Sequence, residues 1–112
     1  MGLTLNKAER LGKGDFRNVK WVKTGRTAHF LLFRVRNDQP VRRFGVVVSR
    51  KIKGSVRRNR IKRLLREFFR QNKEMFGEGA NYSIRVTGLP SPLAWELVCR
   101  ELRALAVKAV NE

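Results

Sequence analysis

Between Ser49 and Arg70 the chain reads SRKIKGSVRRNRIKRLLREFFR, and these side chains suit the binding of phosphate above any other chemistry. Residues 50–73 hold 11 basic side chains against Glu67 alone, a net +10. Placed at 100° intervals, Ile61, Leu64, Leu65, Phe68, Met75 and Phe76 share one arc. Asn59, Arg60, Lys62, Arg63, Arg66, Arg70 and Lys73 share the other, with Arg57 and Arg58 just upstream. Like charges three and four residues apart destabilise a helix by roughly 0.2–0.5 kcal/mol per pair. Phosphates strung along a nucleic-acid backbone would relieve that repulsion, and binding would gain from counterion release. Arginine outnumbers lysine on this arc, which favours bidentate contact with phosphate. Asn59 is the one uncharged hydrogen-bonding side chain among the cations.

Charge does not separate DNA from RNA. Phe16, Phe33 and Tyr82 could each stack on unpaired bases or simply fill the core. Other chemistries find little support. His29 is the only histidine and has no cysteine or acid at ligand spacing, so neither a metal site nor general acid–base catalysis is expected there. Cys99 falls on an apolar helix face and reads as inert core. Asp15 and Asp38 stand apart, so no carboxylate pair exists to hold two metals as nucleases do. Neither GxxxxGK[ST] nor GxGxxG occurs. No catalytic residue and no metal ligand is expected in the chain itself.

The elements that must carry these residues follow from patterning. The 112 residues, 42% hydrophobic, suit one domain with a real core and exclude a disordered basic tail. Of the net charge of +17, residues 1–49 contribute +8, residues 50–73 +10 and residues 74–112 −1. A folded domain with such a field is expected to use it on a polyanion. Residues 14–24 are predicted to form a short helix with Phe16, Val19 and Val22 on its apolar side, Asp15 at its positive end and Gly25 just past its end. Strands are predicted at 28–36 and 43–49, the second buried on both faces. Ser55 is expected to cap a long helix ended by Gly77 and Gly79. A half-buried strand at 82–87 puts Tyr82, Ile84 and Val86 on one face. Ser91 and Pro92 are expected to open a last helix with Trp95, Val98, Cys99, Leu102, Leu105, Ala106 and Ala109 on its apolar face.

This order predicts an α+β two-layer sandwich, one sheet with helices packed on it. A lone cysteine excludes an internal disulfide, and no apolar run approaches the roughly 18 residues of a membrane span, so a cytoplasmic protein without membrane partner is expected. The N-terminal MGLTLNKAER lacks the apolar stretch of a signal peptide, and Leu5 and Asn6 stand where a myristoylation signal needs Ser or Thr.

The run around Arg58-Asn59-Arg60 closely resembles the RNR motif of the bacterial ribonuclease P protein family. LGKGDFRNVKWVKTG, HFLLFRVR, RFGVVVS, YSIRVT and SPLAWELVCRELRALA resemble the flanking parts of that family in the right order, over about residues 9–107. The resemblance implies an α-β-β-β-α-β-α domain with a left-handed βαβ crossover. It implies a partner, a large catalytic RNA that removes the 5′ leader of precursor tRNA and uses Mg2+ for the hydrolysis, with no protein partner required. On this resemblance Arg58, Asn59, Arg60, Lys62, Arg63 and Arg66 fall on the RNA-contacting motif, and Ser49, Arg50 and Lys51 on the basic stretch before it. Phe16, Leu31, Phe33 and Val86 fall on a cleft for the single-stranded leader, with Lys20, Trp21 or Val22 as its further first-helix residue. The chain has Lys53-Gly54-Ser55 where many members have Gly-Asn-Ala or Gly-Lys-Ala. A ribosomal or chaperone-type RNA-binding protein shares the charge pattern but explains neither the motif nor its ordered flanks.

Overall fold

A computed structural model describes residues 9–16 and 19–110. The reading of residues 1–8 and the side chain of Ala109 lie outside the described residues, as do Arg17 and Asn18. Four strands, β1 (Val22–Arg26), β2 (Phe30–Arg36), β3 (Arg42–Val48) and β4 (Ala80–Val86), form one sheet in the order β1-β2-β4-β3. Helices α1 (Ser55–Gln71) and α2 (Trp95–Val110) complete an α+β domain. The β1–β2 and β2–β4 pairs are antiparallel, whereas β3 and β4 run parallel and are joined through α1.

Alternation sorts the strands. Phe30 and Leu32 of β2 and Ala80, Tyr82, Ile84 and Val86 of β4 are fully or almost fully buried. They meet Ile61, Leu65, Phe68 and Phe69 of α1 and Val98, Leu102 and Leu105 of α2 in one core. Phe44 anchors its β3 end, stacked on Phe69 at 4.3 Å and on Tyr82 at 5.7 Å, with Phe76 edge-on at 5.4 Å. Phe69, absent from the predicted apolar arc, is thus a core residue. Among the described residues no α-helix packs on the opposite sheet face.

Several expected boundaries move. The helix predicted over 14–24 is replaced by a 3-10 turn, Lys13–Phe16, and by strand β1. Pairing with β2 outweighs the weak helical spacing: the Thr24 hydroxyl donates to the Leu32 carbonyl at 3.3 Å, and Val22 is 58% exposed rather than apolar core. Gly25 is no helix terminator but the point where α2 meets the sheet, since a Cβ there would come 3.0 Å from Leu105 and Lys108.

Ser55 makes no cap. Gly54, at φ 96°, precedes the first turn, and its carbonyl accepts the Arg58 N–H at 3.1 Å. Helix α1 stops at Asn72, before either glycine, because the Asn72 backbone and side chain both donate to the Phe68 carbonyl. Met75 and Phe76 therefore lie beyond the helix, yet Phe76 still packs in the core.

Helix α2 begins at Trp95, not at Pro92. The Pro92 carbonyl is taken by the Ala94 N–H in a tight turn, and the Ala94 carbonyl accepts the Val98 N–H. Strand β3 is an edge strand, and only Phe44 and Gly45 are buried on it, so it is not covered on both faces along its length. No helix among the described residues is long and apolar enough to cross a membrane.

Candidate RNA interface

Helix α1 turns its cations outward because its other side is filled by the core. Arg57, Asn59, Arg60 and Arg63 are exposed, and Lys62 and Arg66 are half-buried. Arg50 and Lys51 are exposed in the preceding loop. That loop is held by the Ile52 N–H on the Ser49 carbonyl (3.1 Å) and by the Lys51 N–H on the Ser49 hydroxyl (3.2 Å). Arg58 differs from its neighbours: its guanidinium donates to the Ile52 carbonyl at 2.9 Å, fixing the loop against the helix.

Arg70 also differs. Its Nε donates to both Glu67 carboxylate oxygens at 3.1 Å, and a terminal nitrogen completes the ion pair. The Arg70 hydrogen bond holds the Glu67 carboxyl below its usual range, and Glu67 in turn raises Arg70. Among the cations of the predicted stripe, Arg70 thus has an internal counterion, as does Lys73 in Glu9.

The uncovered sheet face is a second surface. Register places Leu31, Phe33 and Val35 of β2 beside Arg85, Ser83 and Asn81 of β4. Val47, Gly45 and Arg43 of β3 continue the same rows. Phe33 and Leu31 are half-buried, Ser83 is buried and Arg85 is exposed, its guanidinium carbon 6.0 Å from the Phe33 ring centroid.

The segment Glu9–Phe16 straps the β3 edge of this face. Leu11 N–H donates to the Phe44 carbonyl at 3.0 Å, and Arg10 forms a parallel bridge with Phe44. Arg43 pairs with Asp15 at 3.1 Å and donates to the Arg10 carbonyl at 3.2 Å. Asp15 also accepts the Gly12 N–H at 2.6 Å, closing the turn. Lys73, just past α1, pairs with Glu9 at 2.5 Å. A Cβ on Gly45 would lie 2.8 Å from the Phe16 ring and 3.0 Å from Leu11, so only glycine admits the strap here. Phe16 stacks on Trp21 at 5.6 Å and 28°, which makes Trp21, rather than Lys20 or Val22, the ring companion of Phe16. The buried Trp21 indole N–H finds no acceptor among the described residues.

The structure therefore brings Phe16, Leu31 and Phe33 to one open face, and it corrects Val86. Val86 is 0% exposed and opposite Phe30, on the helix-covered side. The alternation that groups it with Tyr82 and Ile84 already assigns it to the core. Tyr82, read as a possible stacking platform, is core as well, its hydroxyl donating to the Gly77 carbonyl at 2.7 Å. Sequence reasoning left Trp21 open beside Lys20 and Val22, and it missed Ser83 and Arg85. Alternation within YSIRVT gave a signal for Ser83 and Arg85, and nothing local separated Trp21 from its two neighbours.

Between the two surfaces, Arg10, Gly12, Asp15, Arg43 and Arg66 line an open pocket of about 530 Å³ that joins the strap to α1. His29 does have an acidic partner, 72 residues away: its Nδ1 lies 2.6 Å from Glu101, whose carboxylate also accepts the His29 N–H (3.0 Å) and the Thr27 hydroxyl (2.5 Å). Burial opposes the Glu101 charge, but these donors outweigh it and hold the carboxyl below its usual range. The cluster clamps the β1–β2 hairpin to α2. Among the described residues, no three His, Cys, Asp or Glu side chains gather to hold a metal. Burial pushes the Cys99 thiol up, in keeping with an inert core position.

A family model described as Ribonuclease P matches residues 5–110. The ribonuclease P protein component of Syntrophus aciditrophicus is 41% identical over 108 residues, covering 95% of this chain and 91% of its own. That of Ralstonia pickettii is 38% identical over 105 residues, covering 85% and 74%. Among solved structures, a mutant RNase P protein of Staphylococcus aureus superposes with a TM-score of 0.77 at 24% identity, covering 88% of this chain and 86% of that one. The RNase P protein of Thermotoga maritima does so with a TM-score of 0.65 at 26% identity, covering 81% and 84%.

Proposed function

This chain belongs to the ribonuclease P protein family, and on that premise we propose how its two surfaces divide the work of the ribonucleoprotein. It is the protein subunit of an endoribonuclease that processes tRNA, and its partner is an RNase P RNA. In the proposal, α1 docks on that RNA through Arg57, Asn59, Arg60, Lys62, Arg63 and Arg66, with Arg50 and Lys51 extending the contact. The open sheet face holds the single-stranded 5′ leader of precursor tRNA, its bases seated on Phe33 and Leu31 beside the Phe16–Trp21 wall. Hydrolysis falls to the RNA.

One observation carries this reading: a face of exposed arginines lies beside an apolar and aromatic sheet face that no α-helix among the described residues covers. Exposed arginines suit phosphate, and half-buried rings suit unstacked bases. The reading assigns the Mg2+ of the reaction to RNA oxygens. It also assigns the protein to the cytoplasm, where its RNA partners are made.

Turnover of precursor tRNA by the cognate RNA at low Mg2+, with and without this protein, tests the proposal. Adding the protein should tighten binding of leader-bearing substrate while leaving mature tRNA nearly unchanged. Equal affinity for both forms, with and without protein, would sink the leader assignment.

A further inference from the structure

Arg85 is set apart both from the sheet arginines that carry ion pairs and from Arg26, Arg34 and Arg36, which share its lack of one but not its place on the open face of an inner strand. Arg42 pairs with Glu78, Arg43 with Asp15 and Arg70 with Glu67. No ion pair with a carboxylate among the described residues involves Arg85. It projects from the inner strand β4, exposed, with Leu31 beside it on β2 and Val47 on β3. The middle of such a face ordinarily carries a β-branched or aromatic side chain, which packs better there. A cation in that position contributes little to folding, so its use lies with what settles on the face.

The form of that use follows from position. Cations that could follow a sugar–phosphate backbone stand at the margin, where register puts Lys23 beside Phe33 and Arg26 beside Leu31. Arg85 sits inward of them, over the Phe33 ring at 6.0 Å, among apolar side chains where bases rather than phosphates would seat. Its guanidinium presents a planar fork of donors and no acceptor. Among the purines, the base edge that matches two parallel donors is that of guanine, through O6 and N7. In a single strand that edge is free of pairing.

We propose that Arg85 is a specificity-determining residue of the open face, reading the O6/N7 edge of a leader guanine held against Phe33. This rests on the reading of that face as the leader site. Binding of the reconstituted holoenzyme to precursor tRNAs carrying guanine or adenine at each leader position in turn provides the test, with mature tRNA as reference. The expected result is a preference for guanine at one position, on the order of tenfold. Arg85→Lys, which keeps the charge and loses the fork, should erase that preference. Affinity for adenine leaders and for mature tRNA should stay unchanged, as should the thermal melting of this exposed-site variant.

Retention of the preference by Arg85→Lys, or its absence from the unaltered holoenzyme, would overturn the proposal. So would Arg85→Ala weakening all leaders equally, which would make Arg85 a phosphate contact. If leader-bearing and mature tRNA bind equally well to the unaltered holoenzyme, the leader reading itself fails, an outcome distinct from loss of base preference alone.

Discussion

The outer face of α1 and the open face of the sheet lie on one small domain and are built on opposite principles. The helix face comes from one continuous segment, its cations are exposed or half-buried, and their placement needs only a 3.6-residue period over a buried stripe. The sheet face is assembled from three strands and a strap, and each contributes only one or a few groups. Coulombic attraction to phosphate falls off slowly with distance and tolerates an ångström of misplacement. Stacking and base-edge recognition do not, so the sheet face needs fixed register, the glycine at position 45 and the Asp15–Arg43 tie. If the two faces divide the work as proposed, affinity and discrimination should be separately alterable in this molecule.

The largest expected effect breaks the helix side. Replacing Arg57, Arg60 and Arg63 together with alanine should weaken binding to the catalytic RNA about a hundredfold at moderate salt and lower the salt slope by roughly two to three units. Titrations across a salt series measure both. The ratio of affinities for leader-bearing and mature substrate should not move, and a change in that ratio would mean the faces are not separable. Arg63→Ala alone should lower the slope by about one unit. Arg70→Ala should change it much less, since the counterion of Arg70 is Glu67.

Next in size is the sheet side. Phe33→Ala removes a stacking platform worth about 1–3 kcal/mol per base, and that loss should appear only with leader-bearing substrate. Equal weakening for the catalytic RNA and for the leader would refute the assignment of this face. Gly45→Ala tests the strap, because the added methyl meets Phe16 and Leu11. Overpacking of this kind costs about 1–3 kcal/mol, shared between thermal stability and leader binding, with the salt slope for the catalytic RNA unchanged.

The same contrast governs what could be read in advance. The cationic face was legible because repulsion along one helix needs no knowledge of the rest of the fold, and the strands 28–36, 43–49 and 82–87 were found within two residues. Strand β1 was not, because its spacing of Phe16, Val19 and Val22 mimics a helical face and its real determinants are β2 and α2. Register settles what alternation within β4 already signalled. It pairs Phe30 with Val86 and Leu31 with Arg85, and so puts Arg85, not Val86, on the open face. The ends of α1 and α2 were set by Asn72 and by the Pro92–Ala94 turn, both local side-chain or backbone competitions that a list of glycines and prolines does not capture.

The smallest expected effect on RNA binding belongs to a region outside both faces, and it sharpens the division between them. Glu101 joins α2 to the β1–β2 hairpin through Thr27 and His29, and its carboxyl is held below the usual range. A carboxyl lowered on folding contributes stability that is complete above its ordinary value and disappears as pH falls through its folded value. Glu101→Gln should therefore lower stability at neutral pH by about 1–2 kcal/mol, the scale of a charge-assisted hydrogen-bond set. The gap from the unaltered protein should close on acidification through the carboxylate range in melts recorded from pH 7 to pH 3. Because Leu31 follows the clamped hairpin directly while α1 makes no part of the clamp, a small loss in leader affinity with an unchanged salt slope is the expected companion. A changed slope with unchanged leader affinity would place the hairpin in the docking surface instead, and the two faces would no longer divide as the sheet and the helix do.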